Sequence, residues 1–462
     1  EGISRSNAVL NLAADAKDIS ATDLKRIQGE ARFLRGHYYF DLKKIWNSAP
    51  YIDETVGYGT GIEKVPNSPD FWGKIEADFK FAFDNLPETQ SEAGRANKWA
   101  AGAYLAKAYL YQKKFSEAKG LFDQVIANGK TTNGKKYGLV AKFAQIYNAA
   151  NDNNEESVFA VQTSNNSGNV NNSNWFDDLN YPYNTGTDGP GNCCGFNQPS
   201  FDAANVFRTK DGLPLLDGSY NLAANELKHD YNVESSAAFT TDAGPVDPRL
   251  DHSIGRRGIP YLDWIDHPGK NWIRNQPYGG PYSPKKYVYY KTQENTLTDG
   301  SSWTRGYATM NYTVIRFGDV LLMAAEAEAE LGNLEKARTY VNMIRTRASN
   351  PDSWVKKKDG TNAANYVISL YNTPWTDKAA AINAVRYERR LELSQEGFRF
   401  FDLVRWGVAA DVLNKYLQHE AVLLTTMFGG ATFKAGKAEF LPIPQTQIDI
   451  QGADVLKQNP GY

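Results

Sequence analysis

Glu388, Glu392 and Glu396 recur every fourth residue within NAVRYERRLELSQEGFRFFDLVRWG, Asn383 to Gly407, and so share one face of a helix. Paired carboxyls are the machinery of glycoside hydrolysis, in which one protonates the leaving oxygen and the other attacks or activates water. Each of these glutamates has an arginine within four residues. A neighbouring guanidinium keeps a carboxyl ionised, which suits a structural pair better than a general acid. Arg389 with Glu392, Arg399 with Asp402 and Asp402 with Arg405 are each three apart, the spacing at which side chains meet on a helix. Phe398, Phe401, Val404 and Val408 form the apolar stripe behind them.

No other catalytic arrangement is visible. His37, His229, His252, His267 and His419 lack metal-ligand spacing such as HExxH, and neither GxSxG nor a phosphate loop occurs. No nucleophile has a partnered base, which argues against an enzyme and leaves no catalytic residue to name. The two cysteines, Cys193 and Cys194, are adjacent in GNCCGF. Neighbours can bridge only through a strained ring, and two thiolates are too few for a closed zinc site. Two free thiols are the expectation and a disulfide is the alternative. NDNNEE, Asn151 to Glu156, and DGPGN, Asp188 to Asn192, offer oxygen ligands of the kind calcium takes. Neither has the spacing of a dedicated loop, so solvated turns are expected, with calcium as the one cofactor left open.

The groups best suited to binding are aromatic. Residues 151–310 hold eleven of the twenty prolines and fifteen glycines, and 20 Leu, Ile and Val stand beside 15 Trp and Tyr. So many rings with so few aliphatics implies that some lie at the surface, where a flat apolar face calls for a partner. Sugars present C–H faces to such rings while Asn, Asp and Arg bond their hydroxyls. YLDWIDHPGKNWIRNQPYGGPYSP, Tyr261 to Pro284, supplies both: the rings Trp264, Trp272, Tyr278 and Tyr282, and the polar groups Asp263, Asn271 and Arg274. Trp175 and Trp303 lie in similar surroundings. Loss of Trp264 or Trp272 is expected to weaken glycan binding by about 1 to 3 kcal/mol, by analogy with base stacking on aromatic rings.

These residues need a scaffold, and the rest of the chain reads as helices. Thr22 to Trp46 is expected as one helix with Thr22 or Ser20 as N-cap and Ile27, Ala31, Leu34 and Tyr38 along its buried face. Asp70 to Leu86 follows, with Phe79, Ala82, Phe83 and Leu86 as its stripe. Two later segments repeat one another. Ala106, Ala118, Phe122 and Val125 have the same offsets as Ala325, Ala337, Val341 and Ile344. Small residues at both places allow close antiparallel helices, the tetratricopeptide pattern. The fold class is therefore mostly α, with tetratricopeptide-like pairs as a right-handed superhelical scaffold and a loop-rich insertion lobe containing little β. Residues 1–150 hold N-terminal pairs and 151–310 the insertion. Residues 311–462 hold C-terminal pairs and a closing segment that form one body with 1–150. Inside the insertion only a strand, Ser157 to Thr163, and a helix near Phe201 to Arg208 are expected.

Fifty-one basic and fifty-three acidic side chains leave a formal charge of −2, with no basic run to suggest nucleic acid. No apolar run approaches the roughly 20 residues of a membrane span, and EGISRSNAVL has neither a signal core nor a lipid-acceptor cysteine.

Six stretches together resemble the SusD/RagB family: GEARFLRGHYYFDLKKIWNSAPYI, DPRL at Asp247, VIRFGDVLLMAAEAEAELGN from Val314, NMIRTRAS from Asn342, YERRLELSQEGFRFFDLVRWG and FLPIPQTQIDIQGADVLKQNPGY. The resemblance implies a helical body of four tetratricopeptide-like pairs beneath a loop-rich lobe. It implies a lipoprotein on the extracellular face of the outer membrane that captures oligosaccharide or polysaccharide and works as a lid on a SusC-like TonB-dependent transporter. It also implies no catalysis. The lipid-acceptor cysteine of the family is absent from this chain. Ligand residues are not fixed by the family motifs, so the assignment of Trp264, Trp272, Tyr278, Tyr282, Trp303, Trp175, Asn271 and Arg274 rests on composition and setting alone. Two other readings stand beside this one, a helical glycosidase using Glu388 and Glu396 and a tetratricopeptide scaffold that binds peptides.

Overall fold

The computed structural model describes residues 1–57, 59, 61–174, 179–301 and 305–462. It is mostly helical, with short strands paired two by two among the described residues. Two compact units emerge: residues 1–137, 400–412 and 433–462, and residues 138–399 with 413–432.

In the first unit the helices Gly2–Asp15, Ala21–Trp46, Trp72–Asn85, Lys98–Tyr111 and Phe115–Asn128 each pack on the next. Ser20 caps the long helix, accepting the Asp23 N–H at 3.1 Å. Its buried face differs from the expected one. Leu34 is exposed, while Phe33, Arg35, Tyr39 and Phe40 are buried with Ala31. The reason is polar: Arg35 grips Asp78 of Trp72–Asn85 in a buried fork, with Nε and Nη2 each 2.7 Å from a carboxylate oxygen. A stripe drawn through apolar residues alone misses an interior arginine. The next two helices form the expected pair, joined across residues 112–114, and Ala106, Ala118, Phe122 and Val125 are wholly buried.

The second unit carries the matching pair, Phe317–Glu330 and Leu334–Ala348, and Lys378–Glu392 packs against both. Ala325, Ala337, Val341 and Ile344 are wholly buried, and Gly332 makes the turn with φ +85. The strand Ser157–Val161 pairs antiparallel with Tyr312–Arg316, which runs directly into Phe317–Glu330. This pairing corrects the expected division of the chain, because it binds the helices from Phe317 to Glu392 to the loop-rich segment within one unit. Phe201–Asn205 is the short helix, capped by Ser200, which accepts the Ala203 N–H at 3.1 Å.

Around these elements the irregular chain has an aromatic core. Tyr181, Tyr261, Trp264, Trp272, Tyr287 and Tyr289 cluster with Val140, Phe143 and Met310. Where aliphatic side chains are scarce, rings meeting edge to face fill the interior instead.

Candidate ligand-binding surface

Glu388 and Glu392 share the helix Lys378–Glu392, but Glu396 lies in the turn beyond its end, where Gln395 has φ 64, so the expected single helix face is corrected, and all three lie inside the second unit. Arg249 pairs with Glu388 and Glu392, Arg345 with Glu388, Arg347 with Glu392, and Arg316 with Glu392 and Glu396. Lys286 adds a 2.7 Å pair to Glu396. Burial alone would raise Glu392. The guanidiniums of Arg347, Arg316 and Arg249 overcome it and hold the carboxyl well below the usual range. Glu396 is lowered likewise, against its own burial, by Arg316 and Lys286. Sealed and ionised, neither carboxyl can donate a proton to a glycosidic oxygen. Arg389, expected to pair with Glu392, reaches Asp319 at 2.8 Å. The pair expected between Asp402 and Arg405 forms at 2.8 Å.

Three of the expected ligand rings are core residues. Trp264 is buried, and its indole N–H donates to the Tyr289 carbonyl at 3.2 Å. Trp272 is buried edge-on against Tyr261 and His267, at 5.5 and 5.4 Å between centroids. Tyr282 packs against Phe201 in a second cluster. Asp263 is also committed, accepting Thr292 N and Oγ1 at 3.0 and 2.9 Å. The expectation that these rings face solvent is thus corrected. Trp175 and Trp303 lie outside the described residues. Asn271 is exposed, and its backbone N–H donates to Ser235 Oγ at 2.9 Å.

What the structure leaves in water is a set of rings on neighbouring loops that includes only Tyr278 of those expected. Tyr278 is 52% exposed, Phe196 46% and Tyr183 40%. Arg274 joins them, with its guanidinium carbon 4.5 Å from the Phe196 centroid and 5.7 Å from that of Tyr183. Its Nη1 donates to the Cys194 carbonyl at 2.8 Å, and no carboxylate pairs with it among the described residues. Backbone bonds fix the loops: Tyr183 N–H to Trp272 O at 3.0 Å, Gly195 N–H to Tyr181 O at 2.9 Å, and Phe196 N–H to Leu179 O at 3.0 Å. Tyr278 rises from the turn Gln276–Gly279, whose end is tied to the same loop by Gln198 Nε2 donating to Gly280 O at 3.0 Å. The buried Trp272 therefore supports the exposed Tyr183 through its carbonyl. Of the residues expected from the sequence, Arg274 and Tyr278 belong to this surface. Tyr183 and Phe196 were missed, although Phe196 sits in GNCCGF beside glycines and asparagines that mark a tightly turned loop.

Cys193 and Cys194 form a disulfide, against the expectation of two thiols. The bond lies immediately before Gly195 and Phe196, inside the loop that presents the exposed ring. The oxygens of Asn151 to Glu156 suit a metal poorly. Asp152 accepts the Asn311 N–H at 3.0 Å, Asn154 accepts the Glu156 N–H at 2.8 Å, and Glu156 is held by Arg316 and Arg347.

Two concave features compare with the ring surface. A groove of about 900 Å³ in the first unit is walled mostly by apolar side chains such as Leu12, Ile52, Val56 and Ile443, with Trp46, Asn11 and Gln447 also in its lining. In the second unit a cleft of about 290 Å³ holds Trp375 against Tyr371, with Asn372 and Thr373 at its rim. It offers one half-buried indole where the loop surface offers three exposed rings and a cation.

Comparison with known proteins agrees with this architecture. A family model described as "SusD family" matches residues 155–462, and one described as "Starch-binding associating with outer membrane" matches residues 1–110. The chain is 24% identical to SusD-like protein P25 of Formosa agariphila over 84% of its own length and 65% of that protein's, so it spans slightly under two thirds of that relative. A SusD-like protein of Bacteroides ovatus is 22% identical over 99% of the chain and 76% of its own length. Among solved structures, a SusD superfamily protein from Bacteroides vulgatus superposes with a TM-score of 0.69 at 23% identity, covering 100% of this chain and 83% of that one. A laminarin-binding SusD-like protein gives 0.64 at 25%, covering 100% and 84%. With one family model matching most of its length and the same helical fold throughout, the chain belongs to the SusD family.

Proposed function

We propose that this protein captures oligosaccharide or polysaccharide on the loop surface formed by Tyr183, Phe196, Arg274 and Tyr278, and delivers it to a SusC-like TonB-dependent transporter at the extracellular face of the outer membrane. The carrying observation is that three aromatic rings and a guanidinium with no carboxylate partner among the described residues stay in contact with water on adjoining loops of one unit. Rings of this kind stack on the C–H faces of sugars, while the guanidinium and nearby Asn side chains bond hydroxyls. The starch-binding description of the matching family model and the laminarin-binding relative support a carbohydrate ligand. The phrase "associating with outer membrane" supports the location. Among the described residues no helix is long and apolar enough to cross a membrane.

Affinity electrophoresis in gels cast with laminarin, starch, xylan or pectin tests the proposal. Retardation by at least one polysaccharide, lost in Phe196→Ala and Tyr278→Ala, is the expected result. A retarded protein whose retardation survives both substitutions places the site elsewhere, for instance at Trp375. Release of new reducing ends during incubation would restore the glycosidase reading.

A further inference from the structure

We infer that the Cys193–Cys194 disulfide positions the ligand surface, setting the loop that places Phe196 over Arg274, so that ligand affinity depends on the bond being intact. The inference rests on the reading of this surface as the glycan site.

A disulfide stabilises a fold mainly by closing a stretch of unfolded chain, and the effect grows with the number of residues enclosed. Cys193 and Cys194 are adjacent, so their bond encloses none. Its effect must be local. The surrounding loop is one that needs local restraint: Gly191, Asn192, Gly195 and Asn197 all have positive φ, at 69, 107, 69 and 53. Backbone of this kind loses much conformational freedom when fixed.

What the bond fixes is the ligand surface. The Cys194 carbonyl is the hydrogen-bond acceptor of Arg274 among the described residues, at 2.8 Å. The next residue, Gly195, threads so closely between two surface residues that a Cβ there would stand 2.8 Å from Tyr183 Cβ and 2.9 Å from Arg274 Cβ. The residue after it is Phe196, whose ring receives the Arg274 guanidinium. One covalent bond thus precedes, by one and two residues, both the close passage and the exposed ring. Pre-organising such a surface raises affinity by removing the ordering cost at binding.

The test uses the full chain in three forms: oxidised, reduced with dithiothreitol, and as the double variant Cys193→Ser with Cys194→Ser. In reduction the S–S bond breaks, two electrons and two protons pass from the dithiol to the two sulfurs, and the reagent closes to its cyclic disulfide. Amide hydrogen exchange at Gly195 and Phe196 reports the loop without any ligand. Exchange about tenfold faster in the reduced and double-variant forms is expected, with helix amides unchanged. Retardation in the polysaccharide gels should fall in parallel, reoxidation should restore both, and the melting temperature should stay near that of the oxidised protein. Unchanged exchange overturns the inference, as does faster exchange with full retardation. A uniform fall in stability and protection across the second unit also overturns it, because the bond would then be structural at large. If oxidised protein is retarded by none of the polysaccharides, it is the glycan reading that fails, and loop exchange alone decides whether the bond positions Phe196.

Discussion

Arg316 places Nη1 2.7 Å from Oε1 of Glu392, with both side chains closed off from solvent. Around this pair Glu156, Glu396, Arg347 and Arg249 complete a buried network. Truncating one member of such a network costs more than the pair contributes, because the partner is left as an uncompensated buried charge. Arg316→Met should therefore destabilise the protein by about 3 to 5 kcal/mol, the range for breaking a buried pair. Denaturant unfolding measures this, and a loss below 1 kcal/mol would show that Arg347 and Lys286 can neutralise the glutamates unaided.

His419 makes the fold sensitive to alkali. Its hydrogen bond to Glu420 and that to Glu226 outweigh partial burial and raise it to about 9. The raised value means that the folded state holds this proton more tightly than the unfolded chain does. Its stabilising contribution is complete below the ordinary histidine value of 6.5 and is lost as pH rises through about 9. The ring is partly exposed and screened, so the effect should stay near or below about 1 kcal/mol. Melting curves across this interval should fall more steeply for the wild type than for His419→Gln, and parallel curves would contradict the assignment.

Ala325 lies with no exposed surface where Phe317–Glu330 packs against two other helices. A larger side chain there must push them apart. Ala325→Leu should cost about 1 to 3 kcal/mol, the usual price of overpacking. Leu331→Ala, at an exposed position just past the end of the same helix, should change stability by less than about 0.5 kcal/mol. Equal effects would mean that the small-residue repeat does not set the helix approach.

The repeat was legible because helical period and small-residue spacing act locally, and Ala106 and Ala325 lie where their offsets put them. The glutamates were legible as ion-paired, but their partners were not. Arg249, Arg316, Arg345 and Arg347 are brought to Glu388 and Glu392 only by tertiary folding. The rings were the least legible part. In a lobe poor in aliphatics, Trp264 and Trp272 became the core, and exposure passed to Tyr183, Phe196 and Tyr278. Composition shows that rings outnumber aliphatics but not which of them face inward. The long helix erred in a related way, since Arg35 took an interior position through Asp78 and turned Leu34 outward.

Trp264 and Phe196 should separate stability from binding. Trp264 is buried, and its N–H is satisfied by the Tyr289 carbonyl, so Trp264→Ala opens a cavity and should cost about 3 to 5 kcal/mol of stability. Phe196 is 46% exposed and packs chiefly on Arg274, so Phe196→Ala should leave the melting temperature nearly unchanged. Its cost should appear in affinity, at about 1 to 3 kcal/mol if a sugar ring stacks there as bases stack on aromatic rings. Titration calorimetry against the polysaccharide that retards the wild type, paired with thermal unfolding of each variant, gives both quantities. Trp264→Phe keeps a ring in the core and should bind as the wild type does. If it instead loses affinity with its fold intact, the indole itself meets the ligand, and the binding surface extends inward from the loops to the aromatic cluster.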